Sequence, residues 1–459
     1  MNLEQIFQRF SPTPGAPLPV GLVGAGEFGA TFVAQAARMD GLQVIAVCDR
    51  DTARARAAVL AAGIAPSQVR VCASLAEARA AGQAGAVAVL TSAQDMVQLP
   101  LRAVLEATGD PEAAAATALA AIEAGRHVVI ATKEAEIVVG AELAQRAFER
   151  KVVYSPVDGD QPSLLIGLVG WARMLRLPIV CAGKSSESDF VWDAEAGTVT
   201  AWARAEAAPG YRQAFTASDF ALAQRHTLSF ARTTVPDLCE MGIVANHTGL
   251  MPDCSTLHAP IARTIELPSL FRPREQGGLL AGSGRVDMFN CLRRPDELSF
   301  AGGVFVVVQA PDEATGRLFA AKGIPTCPQY RHVLLHNPVH LLGAEAAASV
   351  LAAAQLGCST GGTEVKPRVD LVAHAERNLE AGEVLTIGAR HEIPGIGYRL
   401  EPARALHEQA PVPYYLAVGG RIRRTVRRGE PLLGGDVDLR QGSVLLRLRQ
   451  AQDARFFAA

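Results

Sequence analysis

The sequence predicts an α/β protein built on a doubly wound parallel sheet, followed by an α+β middle part and a small β-rich C-terminal module. Three observations carry this. A glycine-rich turn sits between a short apolar strand and an alanine-rich helix near the N-terminus. Strand and helix patterns then alternate to about residue 155, as a parallel sheet with crossover helices requires. After Thr363 the pattern changes to short strands with glycine turns, "RVDLVAHAERNLEAGEVLT" and "GRIRRTVRRGEPLLGGDVDL". The expected boundaries are 1–155, 156–362 and 363–459, with the last helix of the middle part free to pack back on the first domain. At 459 residues and 49% hydrophobic content the chain can build a core in each part.

The first element is the run "LPVGLVGAGEFG", where a strand over Val20 to Val23 enters Gly24-Ala-Gly26-Glu27-Phe28-Gly29. This is GxGxxG between a strand and a helix, the arrangement of a Rossmann-type dinucleotide site. Gly24 allows the tight turn, Gly26 lets the backbone approach a pyrophosphate, and Gly29 lets the helix lie close to the strand. The helix N-terminus then presents amides to phosphate charge. The second strand, "QVIAVCD", ends at Asp49, twenty residues past Gly29, where an acid binds a ribose hydroxyl. Arg50 follows and suits a 2'-phosphate. Asp49 argues for NAD and Arg50 for NADP.

Later strands bring further candidates. "RAVLEAT" places Glu106, Thr108, Gly109 and Asp110 at a strand end, with Asp110 and Pro111 opening the next helix. "HVVIATKEAE" places Thr132, Lys133 and Glu134 at another. Ligands of such sheets sit at the carboxyl ends of the strands, so Lys133 is expected at the nicotinamide or its substrate. Lysine is scarce here, five (133, 151, 184, 322, 366) among 44 basic residues. The next strand, Val152 to Ser155, runs into "DGDQPS", with Asp158, Asp160, Gln161 and Ser163 in six residues. One reading is a turn with Pro162 or Ser163 capping the following helix. The other is a polar cluster for a hydroxylated substrate or a divalent cation, Mg²⁺ or Mn²⁺, with Asp158 and Asp160 as ligands.

In the middle part, "LPIVCAGKSSESDF" reads as a strand ending at Gly183-Lys184-Ser185-Ser186, a group suited to a phosphate or carboxylate. Asn246, His247 and Thr248 lie between apolar runs. His332, His336 and His340 precede an apolar helix, and Pro338 keeps His336 and His340 off one helical face. The C-terminal module repeats an xGExL turn, Ala381 to Leu385 and Arg428 to Leu432, and shows no obvious nucleophile or metal set.

Composition narrows the function classes. A net charge of -2 disfavours nucleic-acid and membrane-surface partners. No apolar run approaches the roughly 20 residues of a membrane span. The N-terminus lacks a basic flank followed by an apolar run. Eight scattered cysteines without a CxxC pair suit reduced thiols in the cytoplasm.

The motifs "GLVGAGEFG", "LEATGDPEAAAATALAAIEAGRHVVIATKEAEIVVG", "DGDQPS" and the paired "AGEVLT" and "RGEPLLGGDVDL" resemble homoserine dehydrogenase-like oxidoreductases with a C-terminal SAF domain. That group includes the deoxyxylulose-phosphate-reductoisomerase-like enzymes. The resemblance implies NAD(P)-dependent chemistry on a small hydroxylated or keto substrate, with NADP(H) ahead of NAD. Most specifically it implies NADPH-dependent conversion of 1-deoxy-D-xylulose 5-phosphate to 2-C-methyl-D-erythritol 4-phosphate. A homoserine, polyol or hydroxy-acid dehydrogenase is the alternative within the group. Lys133 matches the lysine of the "NK" motif in homoserine dehydrogenases, with Thr132 in place of asparagine. The usual "YHL" reads "VHL" here, with His340 kept. Lys133, Asp158 and Asp160 are thus the expected catalytic residues. Glu134, Gln161, Lys184, Ser185, Ser186, Asn246 and His340 are the expected substrate contacts, with Lys184 holding an anionic end. The expected assembly is a homodimer or homotetramer. A non-catalytic sensor that holds the dinucleotide as a ligand is the reading from another class.

Overall fold

A computed structural model describes every residue except 1, 10–16, 194, 196–197, 203–210, 215–232, 389–390 and 459. The chain forms two compact units. One comprises Met1–Ser163, Leu341–Gly397 and Pro402–Ala459; the other comprises Leu164–His340 and Tyr398–Glu401.

The first unit is built on seven parallel strands: β1 (Leu18–Val23), β2 (Leu42–Cys48), β3 (Val69–Val71), β4 (Val87–Leu90), β5 (Ala103–Glu106), β6 (His127–Ile130) and β7 (Tyr154–Pro156). Their order is β3-β4-β2-β1-β5-β6-β7. Central strands such as β4 and β5 are buried along their whole length, which explains their unbroken apolar runs. The connections run outward to both sides of β1, so the switch point lies between β1 and β5. The crossover helices are α1 (Glu27–Ala36), α2 (Thr52–Ala61), α3 (Leu75–Gln83), α4 (Pro111–Glu123) and α5 (Lys133–Glu149). Asp51, Ser74 and Asp110 cap α2, α3 and α4 through their side chains, and Pro111 opens α4 as its sequence suggests.

Two later segments complete this unit. The apolar helix after His340 is short, α9 (Ala346–Leu351), and continues as a wider turn to Leu356. Its Ala346, Val350 and Leu351 share one core with Val20, Leu22 and Phe32. Residues 363–459, expected as a separate module, belong to this same unit except for Tyr398–Glu401. They carry small sheets, one of them the antiparallel pair Arg421–Ile422 with Val437–Asp438, and the helix α10 (Val444–Phe456). The two xGExL turns are alike in geometry: Gly382 and Gly429 have φ of 91° and 90°. Helix α10 is fastened to α4 and α5. The Glu112 carboxylate accepts from the Ser443 hydroxyl at 2.5 Å and the Val444 amide at 2.6 Å. Gln452 donates to the Val138 carbonyl at 2.9 Å, and Arg455 pairs with Glu142 at 2.8 Å. Arg449, almost fully buried, makes a bidentate pair with Asp370 at 2.6 and 2.8 Å.

The second unit holds a mixed eight-stranded sheet. Its axis is β8 (Ile179–Asp193), fifteen residues long. That length lets one edge pair with β11 (Val304–Gln309) and then β9 (Thr198–Trp202), while the other pairs with β10 (Arg285–Arg293). Helix α6 (Gln161–Met174) leads into this unit, and α7 (Val235–Thr248) and α8 (Glu313–Ala321) belong to it. Its core is aromatic, with Phe271 stacked on Phe305 at 5.3 Å and Phe289 edge-on to Phe305 at 5.6 Å. No described helix is long and apolar enough to cross a membrane.

Candidate active site

The glycine turn has the geometry its sequence requires. Gly24 has φ +94°, and a Cβ there would lie 2.4 Å from the Ala107 carbonyl oxygen. A Cβ on Gly29 would lie 2.1 Å from the Gly24 carbonyl oxygen, so only glycine lets α1 sit this close to β1. Gly26 precedes the helix with open space where a Cβ would project. Glu27 and the half-buried Phe28 begin the helix, and Phe28 packs on the core. Asp49, at the end of β2, accepts the Ala25 amide at 2.7 Å and the Asp51 amide at 2.9 Å. It therefore fastens the glycine turn, and each oxygen keeps a lone pair for a ribose hydroxyl. Arg50 beside it is exposed. These residues fit a dinucleotide.

Lys133 opens α5 at the carboxyl end of β6, and its ammonium lies 3.7 Å from the Asp160 carboxylate. Both side chains are about one-fifth exposed. The Asp-Gly-Asp loop is held by its own backbone. Gly159 has φ +91°, and a Cβ there would lie 1.9 Å from the Leu342 carbonyl oxygen. Asp160 accepts the amide of Gln161, the first residue of α6, at 3.0 Å. Ser163, expected as a capping residue, instead donates its hydroxyl to Asp158 at 2.6 Å. The Asp158 amide donates to Ser349 at 2.7 Å, and Ser349 contacts Thr360 at 2.8 Å. Burial, with Glu345 nearby, pushes the Asp158 carboxyl up to about 6. The two aspartates are thus unlike: Asp160 faces a cation, and Asp158 is tied into a hydroxyl network.

The metal expectation rests on Asp158 and Asp160, and these two are turned to different partners. Among the described residues no group of three or more His, Cys, Asp or Glu side chains is placed to hold a metal ion.

Behind the lysine lies a layer of buried acids. Glu106, fully buried at the end of β5, accepts the Thr108 amide at 2.8 Å and its hydroxyl at 2.5 Å. Burial pushes it up to about 7. Glu136 accepts the hydroxyl of the buried Tyr154. The Gly109 amide donates to the Thr132 hydroxyl at 3.0 Å, joining the turns after β5 and β6. Glu134, one residue past Lys133 and only 2% exposed, pairs with Nδ1 of His391 at 2.9 Å. His391 comes from the C-terminal segment, in which the sequence reading found no chemistry. Its partners lie more than 250 positions away, and no local pattern announces them.

In the second unit the expected anion site takes another form. Gly183, Lys184, Ser185 and Ser186 lie inside the continuous strand β8, not in a loop. Lys184 is 1% exposed and paired with two buried carboxylates of α7, Asp237 at 2.8 Å and Glu240. A cation balanced by two acids and withdrawn from solvent is a different setting from the serine-rich anion site that the sequence suggests. Ser185 and Ser186 are also buried. Asn246 lies buried in the last turn of α7, which ends at Gly249 with φ +75°. His340 is partly exposed, and its ring lies against Gly302, where a Cβ would approach Cε1 to 2.5 Å. Thus Lys133, Glu134, Asp158, Asp160, Gln161, Thr108, Gly109 and the cofactor residues share the first unit. Lys184, Ser185, Ser186, Asn246 and His340 belong to the second.

Comparison with known proteins gives two family matches. Residues 159–346 match the model for the catalytic domain of oxidoreductase DRL. Residues 18–132 match the model for an oxidoreductase family with an NAD-binding Rossmann fold. No curated protein matches the chain. Among solved structures, 1-deoxy-D-xylulose 5-phosphate reductoisomerase from Zymomonas mobilis, in complex with NADPH, is 19% identical with a TM-score of 0.28. The alignment covers 37% of this chain and 46% of that one. A myo-inositol dehydrogenase from Lactobacillus casei, with NAD(H) and myo-inositol, is 19% identical over 39% of this chain and 48% of that one, at a TM-score of 0.27. An oxidoreductase from Bacillus subtilis is 12% identical over 75% of this chain and 91% of that one, at 0.37. The chain spans just under half the length of the first two. The two matched segments are thus similar to an oxidoreductase catalytic domain and to an NAD-binding Rossmann domain, each over less than half of the chain.

Proposed function

We propose that the chain transfers hydride between NAD(P) and a small hydroxylated or keto metabolite. The specific reaction proposed is NADPH-dependent conversion of 1-deoxy-D-xylulose 5-phosphate to 2-C-methyl-D-erythritol 4-phosphate. The observation that carries the general reading is Lys133, held 3.7 Å from Asp160 at the strand ends that the glycine turn also faces. The DRL catalytic-domain match over residues 159–346 supports the specific one. A homodimer or homotetramer is the assembly proposed.

When bound, the nicotinamide supplies the hydride. The chain supplies the proton and the geometry. The Lys133 ammonium donates a hydrogen bond to the carbonyl oxygen and polarises it. As the carbon gains hydride, the C=O π pair moves onto the oxygen, which takes a proton from Lys133. Asp160 fixes the ammonium and favours its charged form, and partial exposure lets solvent return the proton. Glycines 24, 26 and 29 and the N-terminus of α1 receive the pyrophosphate.

The test is NADPH oxidation followed by absorbance with deoxyxylulose phosphate and a panel of hydroxy-ketones. Turnover is expected with the phosphate ester. Lys133→Ala is expected to reduce kcat by about 10²–10⁴-fold while the protein still binds NADPH. Binding of NADPH without turnover of any carbonyl would favour the sensor reading.

A further inference from the structure

We propose that His391, from the C-terminal part of the chain, is a positioning residue of the nicotinamide subsite, acting through Glu134 and the Gly109 turn. This rests on the reading that the ring lies at the ends of β5 and β6. His391 touches both ends. Its Nδ1 is 2.9 Å from Glu134 at the start of α5, and its Cε1 would be 3.0 Å from a Cβ on Gly109 after β5. Gly109 is itself tied to Thr132, the residue before Lys133. One imidazole therefore braces the two turns that flank Lys133.

The backbone is committed to this placement. His391 has φ +60°, a conformation that a non-glycine residue keeps only when its surroundings hold it there. Those surroundings are visible. The Ile393 amide donates to the buried Tyr414 hydroxyl at 2.6 Å, and the Gly388 amide to the Glu392 carbonyl at 2.6 Å. The arrangement is also accessible, since the His391 side chain is 44% exposed and can exchange protons with solvent.

Charge gives the device its consequence. Glu134 from α5 favours the charged ring through hydrogen bond and attraction, and Gly109 from the β5 turn adds to this. Burial of the ring and, less strongly, Lys133 from α5 oppose it, and the balance raises the His391 pKa above its ordinary value. Below that pKa the imidazolium answers the buried Glu134 carboxylate. Above it the neutral ring can still donate Nδ1–H to Glu134, but the opposing charge is gone, and Lys133 is the neighbouring cation that acts on this pair. Lys133 is then drawn from Asp160 and from the reacting oxygen. Turnover is expected to fall on the alkaline side as His391 loses its proton.

The experiment is the pH profile of kcat/KM for wild type, His391→Gln, His391→Arg and Glu134→Gln, with His391 followed by imidazole NMR. His391→Gln is expected to lose about tenfold or more in kcat/KM below the wild-type limb, roughly 1.4 kcal/mol of transition-state stabilisation. His391→Arg keeps a fixed charge, so it should retain the rate and lack the alkaline limb. Glu134→Gln should move the limb to lower pH. In NMR the His391 titration should shift when NADPH is added. Profiles of His391→Gln and His391→Arg that overlay wild type, or a His391 titration indifferent to NADPH, would overturn the proposal. If no carbonyl is turned over, the functional reading fails separately, and the NMR titration with NADPH still decides the role of His391.

Discussion

Glu106 sets the charge near the site chiefly through burial, against the Thr108 and Thr132 hydrogen bonds and with a smaller push from Glu134. With its carboxyl up at about 7, against an ordinary 4.5, the folded protein binds this proton more tightly than the unfolded chain does. The sign follows from that difference. Stability falls as pH rises from about 4.5 through about 7, because the folded state must then accommodate an ionised, desolvated carboxylate. Glu106→Gln can keep the Thr108 hydrogen bonds with its amide oxygen and carries no charge. Its unfolding free energy should gain on wild type between pH 5 and pH 8, by about 3 kcal/mol at most. Urea denaturation at the two pH values checks this, and equal pH dependence in both proteins would contradict it. The sequence located Glu106 and Lys133 because strand ends are local features. It was silent on the pairing of His391 with Glu134, since nothing near residue 391 encodes a contact made so far away along the chain.

At the scale of elements, the glycine turn was legible because each glycine answers a steric demand that no other residue meets. Gly29 against the Gly24 carbonyl is the clearest case. Strand β8 was legible only in part. Its residues Gly183 to Ser186 read as the end of a strand, yet the strand runs on through them where a facing helix supplies partners. Helix α7 does so with Asp237 and Glu240, four turns of sequence that gave no sign of whom they would meet. Lys184→Met should therefore act on stability, costing about 3–5 kcal/mol in chemical denaturation by leaving two buried carboxylates without a cation. A Lys184→Met protein as stable as wild type, with only KM raised, would return Lys184 to the substrate-binding role.

At the scale of the molecule, the parallel sheet was the part most open to sequence reading, since apolar runs, glycine spacing and caps agree with one another. The placement of residues 363–459 was not. Their short strands read as a separate module, whereas Glu112 on α10, Gln452 on Val138 and Arg455 on Glu142 join them to the dinucleotide-binding unit. Those bonds depend on tertiary proximity, which periodicity does not report. The same proximity brings His391 to the strand ends. The account's central claim is that the reacting ring of NADPH lies beside Lys133, and a crystal structure of the NADPH complex tests it most directly. The account predicts the pyrophosphate at the N-terminus of α1 and the ring C4 near the Lys133 ammonium, with room for one carbonyl at a reacting distance of about 3–3.5 Å. A ring lodged elsewhere, with Lys133 and Asp160 facing bulk water, would contradict it.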